Sequence, residues 1–69
     1  MRKMTVHSGA ISSVGFSTDN TLEVRFNSGG TYRFFDVPQV TVEQMLSSDS
    51  IGGFFADNIN GRFRSRKVK

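Results

Sequence analysis

The 69-residue sequence has no cysteine and no tryptophan, and it has one histidine and one proline. Without cysteine there is neither a disulfide framework nor a thiolate zinc site, so the fold must come from apolar burial. The same absence fits a reducing cytoplasm, the expected compartment. No apolar run approaches the ~20 residues of a membrane-spanning helix, and no signal-peptide core follows Met1-Arg2-Lys3. His7 stands in an N-terminal segment expected to be loose, without the packed scaffold of a triad or the companions of a metal site. Asp49 and Asp57 show no spacing that pairs carboxylates, and the nine serines have no base to activate them. These absences describe a non-enzymatic chain with no catalytic residue, no metal and no cofactor.

Charge is present and unevenly placed. Residues 62–69 (RFRSRKVK) hold five of the nine cations and no acid. Residues 1–61 carry the other four cations against six acids. A compact cationic block either binds a polyanion by releasing its counterions or is a solvated, disordered end.

Alternation and turn chemistry predict two hairpins. Leu22, Val24 and Phe26 share one face of a strand, with Glu23 and Arg25 on the other. Phe16 meets Leu22 and Val14 meets Val24 if Thr18-Asp19-Asn20 forms the loop, with Asn20 left-handed. The second hairpin pairs Phe26 with Tyr32 and Val24 with Phe34 around Ser28-Gly29-Gly30, where Gly30 takes the left-handed position. Pro38 then suits the first turn of a helix carrying Val42, Met45 and Leu46. Asp36, just before it, reads as a cap or ion-pair partner for the helix start. Ser47-Ser48-Asp49-Ser50 offers caps for a second short helix carrying Ile51, Phe54, Phe55 and Ile59. Gly52 and Gly53 weaken its first turn by about 1 kcal/mol each. The predicted architecture is α+β: a three-stranded antiparallel meander with two short helices on one face. Residues 1–9 are expected to be a flexible segment, 10–61 a single domain and 62–69 a basic tail.

The stretch GTYRFFDVP at residues 30–38 crowds three aromatics around an arginine. In the predicted phase Tyr32 and Phe34 join Val14, Phe16, Leu22, Val24 and Phe26 against the helices, as core rather than stacking platform. Burying each is worth roughly 1.5–3 kcal/mol, which a chain this short needs. The opposite face has Arg25 across from Arg33, and Phe35 beside Glu23 with no layer to cover it. Two arginines and an uncovered ring suit a phosphate backbone and a stacked base. The alternative is that Glu23 neutralises one arginine and Phe35 folds against Val37.

Together these motifs resemble the KTSC domain over roughly Ile11 to Phe63. Its carriers are SSVGF at 12–16, TLEVRF at 21–26, Gly30, Tyr32-Arg33-Phe34 at the family's Tyr-x-Tyr, Asp36-Val37-Pro38, and SIGGFF at 50–55 with Ile59 and Phe63. Phe34 replaces the second tyrosine, Phe63 a frequent tyrosine, Ala56 a frequent asparagine and Ser48 a frequent alanine. No role resting on the second tyrosine's hydroxyl carries over. The resemblance makes Tyr32, Phe34, Pro38 and Gly52 structural motif residues. The family takes its name from the C-terminus of some lysyl-tRNA synthetases and also occurs alone in small bacterial and phage proteins, which implies RNA as a partner.

The expected function is therefore nucleic-acid binding, RNA before DNA and tRNA-like, by a small cytoplasmic module. The expected contacts are Arg25, Arg33, Arg62, Arg64, Arg66, Lys67 and Lys69 to phosphates, and Phe35 to a base. The competing expectation is a protein-interaction module or accessory factor of bacterial or phage origin, docking on the open face or adding a strand to an edge.

Overall fold

The computed structural model describes residues 2–6 and 8–69, so His7 lies outside the described residues. The strands are β1 (Arg2–Thr5), β2 (Ile11–Phe16), β3 (Leu22–Phe26), β4 (Thr31–Phe34) and β5 (Ser65–Lys67), and the helices are α1 (Gln39–Ser47) and α2 (Ile51–Asn58). The strands form one antiparallel sheet in the order β1-β2-β3-β4-β5. The three predicted strands are its centre. The outer two come from the segments expected to be a flexible start and a loose basic tail. Both lack apolar alternation, because an edge strand is held mainly by its backbone ladder and leaves its side chains in water. Every residue of β1 and β5 is exposed.

Both hairpins use one turn geometry. In the first, the Ser17 N–H donates to the Thr21 carbonyl at 3.0 Å and the Asn20 N–H to the Ser17 carbonyl at 3.1 Å. Asn20 is left-handed at φ 64, as the sequence predicts, and Phe16 pairs with Leu22. The second repeats this with Phe26 donating to Gly30 at 3.1 Å and Gly29 donating to Phe26 at 3.0 Å. Its loop is thus Asn27-Ser28-Gly29, one residue earlier than predicted, and Gly29 (φ 94) closes it. The pairing moves by two residues: Leu22 faces Phe34, Val24 faces Tyr32, Glu23 faces Arg33 and Arg25 faces Thr31. A two-residue shift keeps every side chain on its predicted face but changes its neighbours. Arg25 does not oppose Arg33, and Phe35 does not flank Glu23.

Asp19 fastens the first turn. The Ser17 hydroxyl and then Thr21 donate to its carboxylate, and these bonds hold the carboxyl below its ordinary value of 3.8. A folded-state value below the unfolded one gives stabilisation that is complete above the unfolded value and lost as pH falls through the lower folded value. Asp19→Asn is expected to lower the urea midpoint at neutral pH, where the charged carboxylate contributes in full, and to flatten its fall below about pH 4, so that the two proteins converge in acid.

The helices cover one sheet face. Val14, Leu22, Val24 and Phe34 from the strands meet Val42, Met45, Phe55 and Ile59 from the helical segment, with Ile11 and Val37 completing the buried core. Phe16, Phe26, Tyr32, Leu46 and Phe54 pack at its margin, half-buried. Phe34 is core, as expected, whereas Tyr32 reaches the rim. Pro38 is the cap residue before α1 rather than its first helical position (φ −61, ψ 144). Asp36 forms the bend before it at φ 59, a left-handed conformation that aspartate tolerates. Ser50 caps α2 by accepting from the Gly53 N–H at 3.1 Å. Gly52 leaves room for the 8–10 loop: a Cβ there would sit 3.3 Å from the Ser8 hydroxyl.

Candidate nucleic-acid interface

The helix-free face of the sheet is organised in rows. Side chains on one face repeat about every 6.8 Å along a strand, and paired strands lie about 4.8 Å apart. The middle row runs Lys3, Gly15, Glu23, Arg33, Arg66 across all five strands. The next contains Thr5, Ser13, Arg25 and Thr31. On the other side Phe35 and Arg64 are adjacent, joined by a 2.9 Å backbone hydrogen bond from the Phe35 N–H to the Arg64 carbonyl. The face therefore carries Lys3, Arg25, Arg33, Arg64 and Arg66 against the single acid Glu23.

Glu23 is shared. Arg33 Nε reaches its Oε1 at 3.1 Å, and Lys3 Nζ reaches over the side-chain-free Gly15 to its Oε2 at 3.6 Å. The Glu23 side chain is 14% exposed, whereas those of Lys3 and Arg33 are 69% and 47% exposed. One carboxylate thus anchors two cations whose remaining donors face water. Arg66 adds a second guanidinium directly opposite Arg33. The like-charge pair expected at Arg25 and Arg33 is found instead at Arg33 and Arg66, where it opposes pairing by up to ~1 kcal/mol. Arg25 is exposed and forms no ion pair among the described residues. Gly15, Ser13 and Thr31 floor a depression of about 460 Å³ bordered by Lys3, Arg25, Arg33 and Lys69.

Phe35 is half-buried on this face, and its ring is not bare: the Arg64 guanidinium lies 5.6 Å from its centroid. A base here would stack on the guanidinium plane with the phenyl ring beneath it. Of the residues singled out in the sequence, Arg25, Arg33, Phe35, Arg64 and Arg66 come together. Lys69 borders the depression, its carbonyl accepting from the Thr31 N–H at 3.0 Å. Lys67 is not on this face. It pairs with Tyr32 and so takes the helix side of β5. Arg62 lies in the turn after α2, outside both rows. Lys3, Ser13 and Thr31 are additions. Lys3 becomes recognisable as a site residue only once Arg2–Thr5 is a strand.

The opposite layer has the opposite sign. Residues 34–61 contain Asp36, Glu43, Asp49 and Asp57 and no lysine or arginine. Among the described residues no group of three or more His, Cys, Asp or Glu comes together to hold a metal ion. Among the described residues no helix is long and apolar enough to cross a membrane.

A sequence model of the KTSC domain matches residues 7–63. The chain belongs to the KTSC family. A crystal structure of a KTSC domain protein from Yersinia pestis superposes with a TM-score of 0.94 at 33% identity, covering 99% of this chain and 97% of that one. An uncharacterized protein of Stutzerimonas stutzeri is 36% identical over 56 residues, 80% of this chain and 79% of the relative. A lysine–tRNA ligase of Trichormus variabilis is 38% identical over 52 residues, 75% of this chain but only 9% of the ligase. The KTSC match ends at Phe63, before β5, so Arg64 and Arg66 lie outside the matched segment.

Proposed function

We infer that this KTSC domain is a non-enzymatic nucleic-acid-binding module of the cytoplasm, with RNA as its ligand and the open sheet face as its binding surface. The observation that carries the reading is the cluster of five cations around one acid on a face that no helix covers. Arg33, already paired with Glu23, stands beside Arg66, which has no ion pair among the described residues, an arrangement that phosphate oxygens would relieve. Arg25 and Lys3 extend the contacts across the sheet, and the Arg64–Phe35 cation–π pair offers a base a planar surface. The kinship with a segment of a lysine–tRNA ligase supports tRNA-like RNA as the first ligand to try.

The test is anisotropy of a labelled single-stranded RNA and of tRNA between about 50 and 200 mM salt. Five phosphate contacts on a single strand give a log–log slope near −3.5, about a hundredfold loss of affinity across that range. No binding at about 50 mM, or a slope near zero, removes the reading and leaves a protein partner for the same face.

Glu23→Gln provides an independent check. Removing the one negative charge while keeping an acceptor for Arg33 and Lys3 is expected to tighten RNA binding about fivefold, since one such charge at close range is worth about 1 kcal/mol. An unchanged affinity would place the ligand elsewhere.

A further inference from the structure

On the helix side of the sheet, α2 stops short of β5 and leaves a cleft of about 350 Å³ lined by Phe26, Tyr32, Phe34, Phe55, Asn60 and Ser65. We propose that this cleft receives an unpaired nucleobase of the same RNA strand whose phosphates lie on the open face. The proposal rests on the nucleic-acid reading and adds a base-binding site on the far side of the β5 edge.

The cleft wall is aromatic and already ordered. Phe26 meets Tyr32 edge-on at 5.7 Å and Phe55 at 5.4 Å, and Phe34 meets Phe55 at 5.2 Å. Phe26 and Tyr32 remain half-buried in a domain with little apolar surface to spare. A pocket of this size, walled by aromatic rings with comparable polar surface around them, has the form of a small planar-ligand site. Exposed Asn60 supplies an amide that both donates and accepts, as a base edge requires, and Ser65 adds a hydroxyl.

β5 links the two surfaces. Arg66 faces the open side, whereas Ser65 and Lys67 face the cleft side opposite Phe34 and Tyr32. A strand bending over this edge keeps a cation beside its backbone on both sides. An apolar peptide side chain would match the rings but bring no charge for Lys67 and Arg66. Residues 62–69 contain no acid to do so. A base inside a duplex cannot enter the cleft without being unstacked, so the site selects single strands.

Tyr32 is the only tyrosine and there is no tryptophan, so intrinsic emission reports on this cleft alone. The experiment titrates the full chain with a single-stranded RNA oligomer, the same oligomer as a duplex, and inorganic polyphosphate. Single-stranded RNA is expected to quench Tyr32 emission by about half or more, and polyphosphate to bind without quenching it. Asn60→Ala is expected to weaken the single strand about five- to tenfold and leave polyphosphate unchanged. RNA binding with unchanged emission, or equal loss of both polymers in Asn60→Ala, overturns the base site while the cationic face stands. Failure of both polymers to bind removes the two together. The emission measurement needs no variant, so a folding defect in Asn60→Ala does not blunt the test.

Discussion

Phe55→Ala is expected to strip the domain of about a third or more of its unfolding free energy. Phe55 is only 6% exposed and is the side chain through which α2 grips the sheet, with ring contacts to both Phe26 and Phe34. Removing a buried phenyl ring costs about 3–5 kcal/mol, from lost transfer energy and the cavity left behind. A chain of this length is stable by roughly 3.5–10 kcal/mol, at about 0.05–0.15 kcal/mol per residue. The substitution therefore removes a third to all of it. Phe54→Ala, one position along but half-buried at the core margin, is expected to cost about half as much. Urea denaturation followed by circular dichroism separates them. A Phe55→Ala protein that keeps the wild-type midpoint would show that α2 is not what closes this core.

That pair of phenylalanines marks where the sequence is readable and where it is not. Helical spacing brings Phe54, Phe55 and Ile59 near one stripe, but a helix of eight residues does not fix which adjacent ring turns inward. Packing against Phe26 and Phe34 decides for Phe55. The sheet shows the same division. Alternation sets the faces of Val14 and Phe16 in β2 and of the residues in β3 and β4, and those faces are found as expected. Which residue stands beside which depends on the turn, and two consecutive glycines, both at positive φ, allow either to close it. Gly29 rather than Gly30 closes the loop, so Arg33 gains Glu23 as a partner and Arg25 does not gain Arg33 as a neighbour. The first hairpin offers only Asn20 for that role, and there the register follows directly. Ile11 and Val37 are wholly buried yet sit at a bulged strand start and in a connecting segment, where no periodicity reports them. β1 and β5 pass unnoticed for a different reason. Their order comes from backbone pairing with β2 and β4, and their composition reads as solvated charge. The candidate site inherits these limits: the arginines can be picked out as residue types, but their grouping depends on strands that composition hides.

Deleting residues 64–69 is expected to weaken RNA binding about 25-fold at 0.1 M salt and to lower stability at the same time. The deletion keeps Phe63, which packs against the core, but removes β5 with Arg64 and Arg66. Losing two of five phosphate contacts on a single strand takes the salt slope from about −3.5 to about −2.1, which fixes the affinity loss at that salt. For stability, the Phe35 N–H loses the Arg64 carbonyl and the Thr31 N–H loses the Lys69 carbonyl, together with the remaining β4–β5 ladder. Each such bond contributes about 0.5–1.5 kcal/mol net, and the ordering entropy of six edge residues offsets much of the sum. A net loss of about 1–2 kcal/mol remains, a melting-point drop of about 4–16 °C for a domain of this size. The variant R64Q/R66Q/K67Q/K69Q separates the two effects. It retains the backbone that pairs with β4 and removes only charge, so it is expected to match the deletion in RNA affinity while melting close to wild type. A deletion that binds weakly but melts like wild type would mean that the basic segment acts as a free polycation. Loss of affinity in the deletion with none in the glutamine variant would mean that β5 acts through its strand geometry, and the phosphate contacts would then have to come from Lys3, Arg25 and Arg33 alone.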